Sequence, residues 1–183
     1  PANVQIVARQ VTFNNSSDVP DPNGVTPAPV PAVTRTATFT VTDGRGGSIT
    51  AARNISITER NDPPYFPTFL GTAPSTPEEV VKPLTGITVN DVDIRTGTLK
   101  LTIALGNPAA GVLRYTAAAG ESVAGNDTAT VVVTGTVAQI NASLGTAAPG
   151  GLQFRPALNF NTDPPDAAVP LTFTLDDQGS TGP

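Results

Sequence analysis

The stretch "TATFTVTD", residues 36–43, decides the fold class of this chain. Ala37, Phe39 and Val41 alternate with threonines, which makes one face of an extended strand apolar and the other polar. This alternation predicts a half-buried antiparallel strand. Similar strand patterns occur in "ITAARNISIT" (49–58), "TLKLTIAL" (98–105), "ATVVVTGT" (129–136) and "LTFTLDD" (171–177).

Composition agrees with a chain of short strands and many turns. The 183 residues include 19 Pro and 17 Gly, and turn signals such as "DGRGG" (43–47) separate the strand patterns. One helical turn is predicted at "TVAQINASL" (136–144), where Thr136 can cap the start. We therefore expect an all-β fold with little helix.

The residue types that are absent exclude several chemistries. The chain has no His and no Cys, so it can build neither a Ser-His-Asp or Cys-His nucleophile nor an ordinary zinc site. The acid pair Asp176 and Asp177 lies on adjacent strand positions, whose side chains point to opposite faces and cannot flank one substrate. We expect that the chain is not an enzyme.

The net charge of the chain indicates which classes of partner it can bind. Net charge is −5 at pH 7, which argues against nucleic acid and anionic membranes and suits cations. No apolar run approaches the length of a membrane span, so we expect no membrane insertion.

An internal repeat predicts how the chain divides into domains. "VPLTFTLDDQGSTG" echoes "VTRTATFTVTDGRGGS", so that Phe173 corresponds to Phe39 and Asp177 to Asp43, an offset of 134 residues. Residues 1–62 are predicted to be the C-terminal part of a first repeat, and residues 63–183 a second repeat that lacks its final strand. By analogy with "GGSITAARNISITE", a strand is expected to follow "LDDQGSTGP".

Acidic and amide side chains collect where strands are predicted to end. "ITERNDPPYF" (57–66) carries three such residues just before two prolines, and "VNDVD" (89–93) and "LDDQG" (175–179) follow buried strand positions. Carboxylate and amide oxygens are the ligands that Ca²⁺ prefers, and the prolines stiffen a linker. The plainer alternative is that Asp and Asn here only end strands and make turns.

The order of these motifs resembles the cadherin repeat. That family places a D-x-N-D linker, a P-E pair, a D-x-D and an x-D-x in this sequence, and the chain offers 59–62, Pro77-Glu78, 91–93 and Asp177. Glu59 stands where the linker motif has its first Asp. The resemblance covers residues 35–183 and is closest to cadherin-like repeats of large bacterial surface and secreted proteins. It implies a Greek-key β-sandwich of the cadherin and immunoglobulin kind.

The same resemblance implies one calcium site at the junction of the two repeats. Its six ligands would come from the linker and from two strand ends of the second repeat: Glu59, Asn61, Asp62, Asp91, Asp93 and Asp177. A bound Ca²⁺ would neutralise these carboxylates and turn a hinge into a rod.

These observations predict a structural function, as a calcium-rigidified tandem repeat of a bacterial extracellular stalk, adhesin or filament. Its partners would be adjacent repeats or copies of itself, and cell-surface or matrix ligands. One alternative is a fibre subunit whose open sheet edge takes a strand from a neighbouring chain. Another is a carbohydrate- or protein-binding module, for which Tyr65 and Tyr115 supply few aromatic platforms.

Overall fold

A computed structural model describes residues 10–16, 33–58, 60–71, 73–94, 96–146, 151–162 and 168–179. The chain divides into two compact units; among the described residues, those up to 58 belong to unit 1 and those from 60 onward belong to unit 2. Parts of the predicted first repeat, residues 1–9 and 17–32, lie outside the described residues.

The described strands of unit 1 form one antiparallel hairpin. β1 (Val33–Thr42) pairs with β2 (Ser48–Ile57) over ten residues, with Phe39 opposite Ala51 and Val41 opposite Ile49. The Asp43 side chain closes the turn, because its Oδ1 accepts hydrogen bonds from the backbone N–H of Arg45 at 2.7 Å and of Gly47 at 2.9 Å. These two bonds lower the pKa of Asp43.

Unit 2 contains the other described strands, a short 3-10 turn at Pro108–Ala110 and a helix. In chain order its strands and helix are β3 (Tyr65–Thr68), β4 (Lys82–Leu84), β5 (Thr88–Asn90), β6 (Leu99–Leu105), β7 (Gly111–Tyr115), β8 (Ser122–Ala124), β9 (Thr130–Gly135), α1 (Val137–Leu144), β10 (Leu152–Pro156) and β11 (Leu171–Asp176).

Every strand pair in unit 2 is antiparallel. One sheet has the order β11-β6-β9-β8, a second has the order β4-β10-β7, and β3 pairs with β5. The two larger sheets enclose a single apolar core, to which β5 and α1 also contribute. These facts confirm the predicted all-β sandwich; its Greek-key and cadherin type stays a prediction.

Strict alternation explains how β6 holds this core together. Leu99, Leu101 and Ile103 are fully buried, whereas Lys100 between them is exposed. Burying each such side chain contributes roughly 1.5–3 kcal/mol, so β6 is the most strongly determined strand of the unit. Buried residues on the neighbouring strand β9 and on β7, β10 and α1 complete the core: Leu113, Tyr115, Val131, Val133, Ile140, Leu144 and Leu152.

The predicted helix start is confirmed at Thr136. Its hydroxyl accepts a hydrogen bond from the backbone N–H of Gln139, and the Gln139 side chain returns a bond to the backbone of Thr136, which is a capping box. Ile140 and Leu144 lie on one face, and that face is buried. In the described part of the chain, no helix has the length and apolarity to cross a membrane.

Candidate metal centre

The loop that follows β5 turns two carboxylates into the protein. Asp91 Oδ1 accepts hydrogen bonds from the backbone N–H of Asp93 and of Ile94, each at 3.2 Å. Asp91 is 7% exposed and Asp93 is 3% exposed, while Val92 between them points outward. A tight turn stabilised by its own first side chain therefore buries both acids.

The position of this loop is set by α1. The Asn141 side chain accepts a hydrogen bond from the backbone N–H of Val89 at 2.8 Å and donates one to the Val89 carbonyl at 2.9 Å. An amide that satisfies both backbone groups of a strand residue acts like a neighbouring strand. It therefore anchors β5 two residues before Asp91.

The pairing of β3 with β5 brings the residues that precede Pro63 close to the Asp91–Asp93 loop. Pro63 and Pro64 lead directly into β3, and Tyr65 at the start of β3 pairs with Asn90 at the end of β5. Antiparallel pairing in this register brings the residues before β3 beside those after β5. Asn61 and Asp62 are thereby carried to the Asp91–Asp93 loop.

Two hydrogen bonds join the residues before β3 to acidic residues elsewhere in unit 2. The backbone N–H of Asp62 donates to Asp93 Oδ2 at 3.1 Å, and Asn61 Nδ2 donates to Asp177 Oδ2 at 2.8 Å. Asp177 directly follows β11, so three distant segments meet here. Five of the six residues named from the sequence lie together; Glu59 lies outside the described residues. The contact at Asp62 is made by its backbone.

The buried acids are not fully satisfied. Asp91 Oδ2 and Asp93 Oδ1 are buried and have no hydrogen-bond partner among the described residues. Leaving a carboxylate oxygen buried without a donor is expensive, and more so when a second carboxylate is adjacent. A cation with oxygen ligands would remove this cost, so the donor set fits a hard metal ion such as Ca²⁺.

The raised pKa of Asp91 also favours a cation at this site. Burial raises the pKa of Asp91 to about 6, with a further increase from the adjacent Asp93 carboxylate and from the negative charge of Asp177. Without a cation, Asp91 is thus protonated more readily than an ordinary aspartate side chain. A bound divalent cation would favour the ionised form instead.

The site is not preassembled. Among the described residues, no group of three or more acidic side chains is arranged to hold a metal ion as it stands. One adjustment would improve it: turning the Asn61 amide so that its oxygen rather than Nδ2 faces Asp177. The assignment of amide oxygen and nitrogen follows the local hydrogen bonds, so a cation would reverse it.

One half-buried acid was missed by sequence reasoning. Glu121 accepts hydrogen bonds from the Tyr115 hydroxyl at 2.8 Å, from the Ser143 hydroxyl at 2.6 Å and from the backbone N–H of Ala118. Burial is the main reason that the pKa of Tyr115 is raised. Because Glu121 is well supplied with donors, it ties β7 to α1 and is a structural residue. A lone Glu in "GESV" carries no signal of this.

An open depression of about 510 Å³ lies elsewhere on unit 2. Its lining includes Arg114, Asp127 and Arg155, and Arg114 is already paired with Asp127 through both carboxylate oxygens. It contains none of the linker or strand-end acids. Its shallow, open form offers little enclosure for a small ligand.

Comparison with protein-family models, with curated proteins and with solved structures finds no match to this chain. The case for a function therefore depends on the residues and contacts of the chain itself.

Proposed function

We propose that this chain is a structural repeat protein in which Ca²⁺ fixes the linker segment onto the end of the second sandwich. The observation that carries the proposal is the pair of buried, unpartnered oxygens, Asp91 Oδ2 and Asp93 Oδ1. A fold does not normally retain such a pair without a compensating charge. The proposed ligands among the described residues are Asn61, Asp62, Asp91, Asp93 and Asp177.

The proposed mechanical role depends on the contacts of Asn61 and Asp62 with the acids of unit 2. Asn61 and Asp62 lie at the start of unit 2, directly after its boundary with unit 1 in the sequence, and each is hydrogen-bonded to an acid from a distant part of unit 2. A cation shared between the linker segment and Asp91, Asp93 and Asp177 would resist its detachment. A stiffened linker suits an extended tandem protein at a bacterial cell surface, such as a stalk, adhesin or filament. No catalytic role is part of this proposal.

The first experiment measures thermal unfolding in EDTA and in millimolar CaCl₂. At a Ca²⁺ concentration one hundred times Kd, binding stabilises the folded state by about 2.7 kcal/mol. For a domain of this size we expect a rise in Tm of about 5–10 °C. Millimolar MgCl₂ should raise Tm less, because Mg²⁺ requires a smaller and more regular octahedron.

Two matched variants make this test specific. Asp91→Asn keeps the acceptor at Oδ1 but removes the buried charge, so it should abolish the calcium shift and leave Tm in EDTA unchanged or higher. Asp176→Asn removes the same charge one residue from Asp177, on an exposed side chain, and should keep the full shift. No calcium shift in the native chain, or a full shift in Asp91→Asn, would overturn the proposal.

The linker itself is tested by proteolysis. Arg60 is exposed and directly precedes Asn61, whereas Arg45 is exposed in the hairpin turn of unit 1. We expect Ca²⁺ to slow tryptic cleavage after Arg60 about tenfold relative to cleavage after Arg45, since local opening must precede cutting. The Arg45 site corrects for any effect of calcium on trypsin. An unchanged ratio would mean that any bound cation leaves the linker free.

A further inference from the structure

β11 and β1 end in the same local structure. In both, the Asp that follows the strand accepts a hydrogen bond at Oδ1 from the backbone N–H two residues on, at 2.7 Å for Asp43 and 2.8 Å for Asp177. The intervening residue has positive φ in both, 72° at Gly44 and 59° at Gln178. β11 therefore leads into the same kind of turn that reverses the chain between β1 and β2.

The hydrogen-bonding edge of β11 can be read from one bond. The Gly106 backbone N–H donates to the Pro170 carbonyl at 2.8 Å, which makes this a hydrogen-bonded pair. Bonded and non-bonded pairs alternate in an antiparallel ladder, so even-numbered residues of β11 bond to β6. The backbone groups of Leu171, Phe173 and Leu175 then point away from β6, toward an edge where no described strand pairs.

β1 uses the matching edge to hold β2. The Asp43 N–H donates to the Gly47 carbonyl at 3.0 Å, so the alternation assigns the bonds of β1 to Ala37, Phe39 and Val41. With the offset of the internal repeat, these are the counterparts of the three β11 residues that face the edge where no described strand pairs. This edge of β11 thus presents the counterparts of the backbone donors and acceptors with which β1 binds β2 in unit 1.

The apolar side of β11 also has room for a further strand. Its inward residues Leu171, Phe173 and Leu175 are only partly buried, unlike the inward residues of β6. Phe173 contacts Phe69 edge-to-face, with ring centroids 5.0 Å apart, and Phe69 remains 46% exposed. An added strand with small or branched residues on this side would cover these side chains.

β2 has such residues and is weakly held. In the register copied from the hairpin, Ala51 would lie opposite Phe173 and Ile49 opposite Leu175. Ile49 is 72% exposed in unit 1. Among the described residues β2 pairs only with β1, and a two-stranded hairpin is marginally stable in water. Release of β2 is therefore inexpensive.

The length of the chain between β2 and Asn61 disfavours pairing of β11 with the β2 of its own chain. Asn61 is hydrogen-bonded to Asp177, at one end of β11, whereas β2 in this register would run away from that end. Returning along β11 requires about 20 Å, at about 3.4 Å per residue. Residues 54–60 would have to span it, which removes 54–57 from pairing. A second copy supplies all of β2 without this return.

We propose that the open edge of β11 is an acceptor site for β2 of a second copy of this chain. β2 leaves β1 of its own chain and pairs antiparallel with β11, with Phe173 opposite Ala51. Repetition of this exchange from copy to copy links chains end to end. The proposal does not require calcium.

The test exploits the absence of native cysteine. In the proposed register Thr174 and Thr50 form a non-bonded pair, whose short separation suits a disulfide. Both side chains are exposed. Thr174→Cys protein mixed with Thr50→Cys protein in a glutathione buffer should form the mixed disulfide at least about tenfold more than Thr172→Cys mixed with Thr50→Cys, a pair two residues out of register.

A second experiment uses a disulfide that holds β2 on β1 within the hairpin. The Thr40 and Thr50 hydroxyls lie 3.1 Å apart, so Thr40→Cys/Thr50→Cys should form a disulfide within the hairpin and hold β2 on β1. By sedimentation at about 0.5 mM, the native chain and the reduced double variant should self-associate, while the oxidised variant stays monomeric. A monomeric native chain, equal mixed-disulfide yields for both registers, or association that survives oxidation would each overturn the proposal.

Discussion

β1 and β11 have closely similar sequences and very different surroundings. Phe39 on β1 is 39% exposed and Val41 is 47% exposed, because their hairpin has no second layer among the described residues. Phe173 on β11 is half-buried and contacts two other phenylalanine rings. The alternation that makes each segment a strand is the same, and only the neighbours decide how much apolar surface is removed from water.

The comparison shows that strand formation and strand stability have different origins. A hairpin of ten residue pairs satisfies its backbone hydrogen bonds within the ladder, but it buries little side-chain area. Hydrogen bonds in the ladder largely replace hydrogen bonds to water, so most net stabilisation comes from apolar burial. Unit 1 and unit 2 should therefore respond very differently to the same substitution.

The largest difference is expected for truncation of a leucine or valine on the apolar face of a strand. Leu101→Ala on β6 should lower the free energy of unfolding of unit 2 by about 2–5 kcal/mol, because Leu101 is fully buried. Val41→Ala on β1 should cost less than about 1 kcal/mol. Urea unfolding followed by circular dichroism measures both. Similar losses in the two variants would mean that β1 is covered by a second layer.

An intermediate difference is expected at the corresponding phenylalanines. Phe173→Ala should destabilise unit 2 by about 2 kcal/mol, since it removes a half-buried ring and its edge-to-face contacts with Phe66 and Phe69. Phe39→Ala should change unfolding by less than about 0.5 kcal/mol. Hydrogen exchange of the β6 and β1 amides gives the two values separately. A larger loss for Phe39→Ala would reverse the comparison.

The smallest difference is expected at the turns. Gly44→Ala should weaken the hairpin by about 1 kcal/mol, because φ is 72° there and an added Cβ meets no other atom that could compensate or clash. Gln178→Gly at the corresponding position, where φ is 59°, should stabilise by roughly 0.5 kcal/mol, reduced by loss of the side-chain bond to Thr98. Faster exchange of β2 amides measures the first effect and the urea midpoint the second.

Much of the fold could be predicted where a strand is long enough to show its period. The five long alternating stretches correspond to β1, β2, β6, β9 and β11, and Thr136 marks the helix start. The shorter strands are different. β4 and β5 have three residues each, and β3 and β4 contain a proline, so no periodicity distinguishes them from turns.

For the candidate site, the sequence predicted the ligand residues but not their burial. The order of acidic motifs was sufficient to name Asn61, Asp62, Asp91, Asp93 and Asp177, which the fold then brings together. Sequence order could not reveal that two carboxylates are buried with unpartnered oxygens, since burial depends on the pairing of β3 with β5 and on Asn141 of α1. Glu121 was missed for the same reason.

By itself, the sequence determined the all-β class, the long strands, the capped helix and the candidate ligands, because these depend on local periodicity and residue chemistry. Only the tertiary structure decided which of two similar strands is buried, where the carboxylates lose their partners and which edge of β11 has no described strand paired to it. Those properties arise from contacts between residues as many as 116 positions apart, such as Asn61 and Asp177. No local pattern encodes such contacts, because their free energy comes from the surfaces that folding brings together.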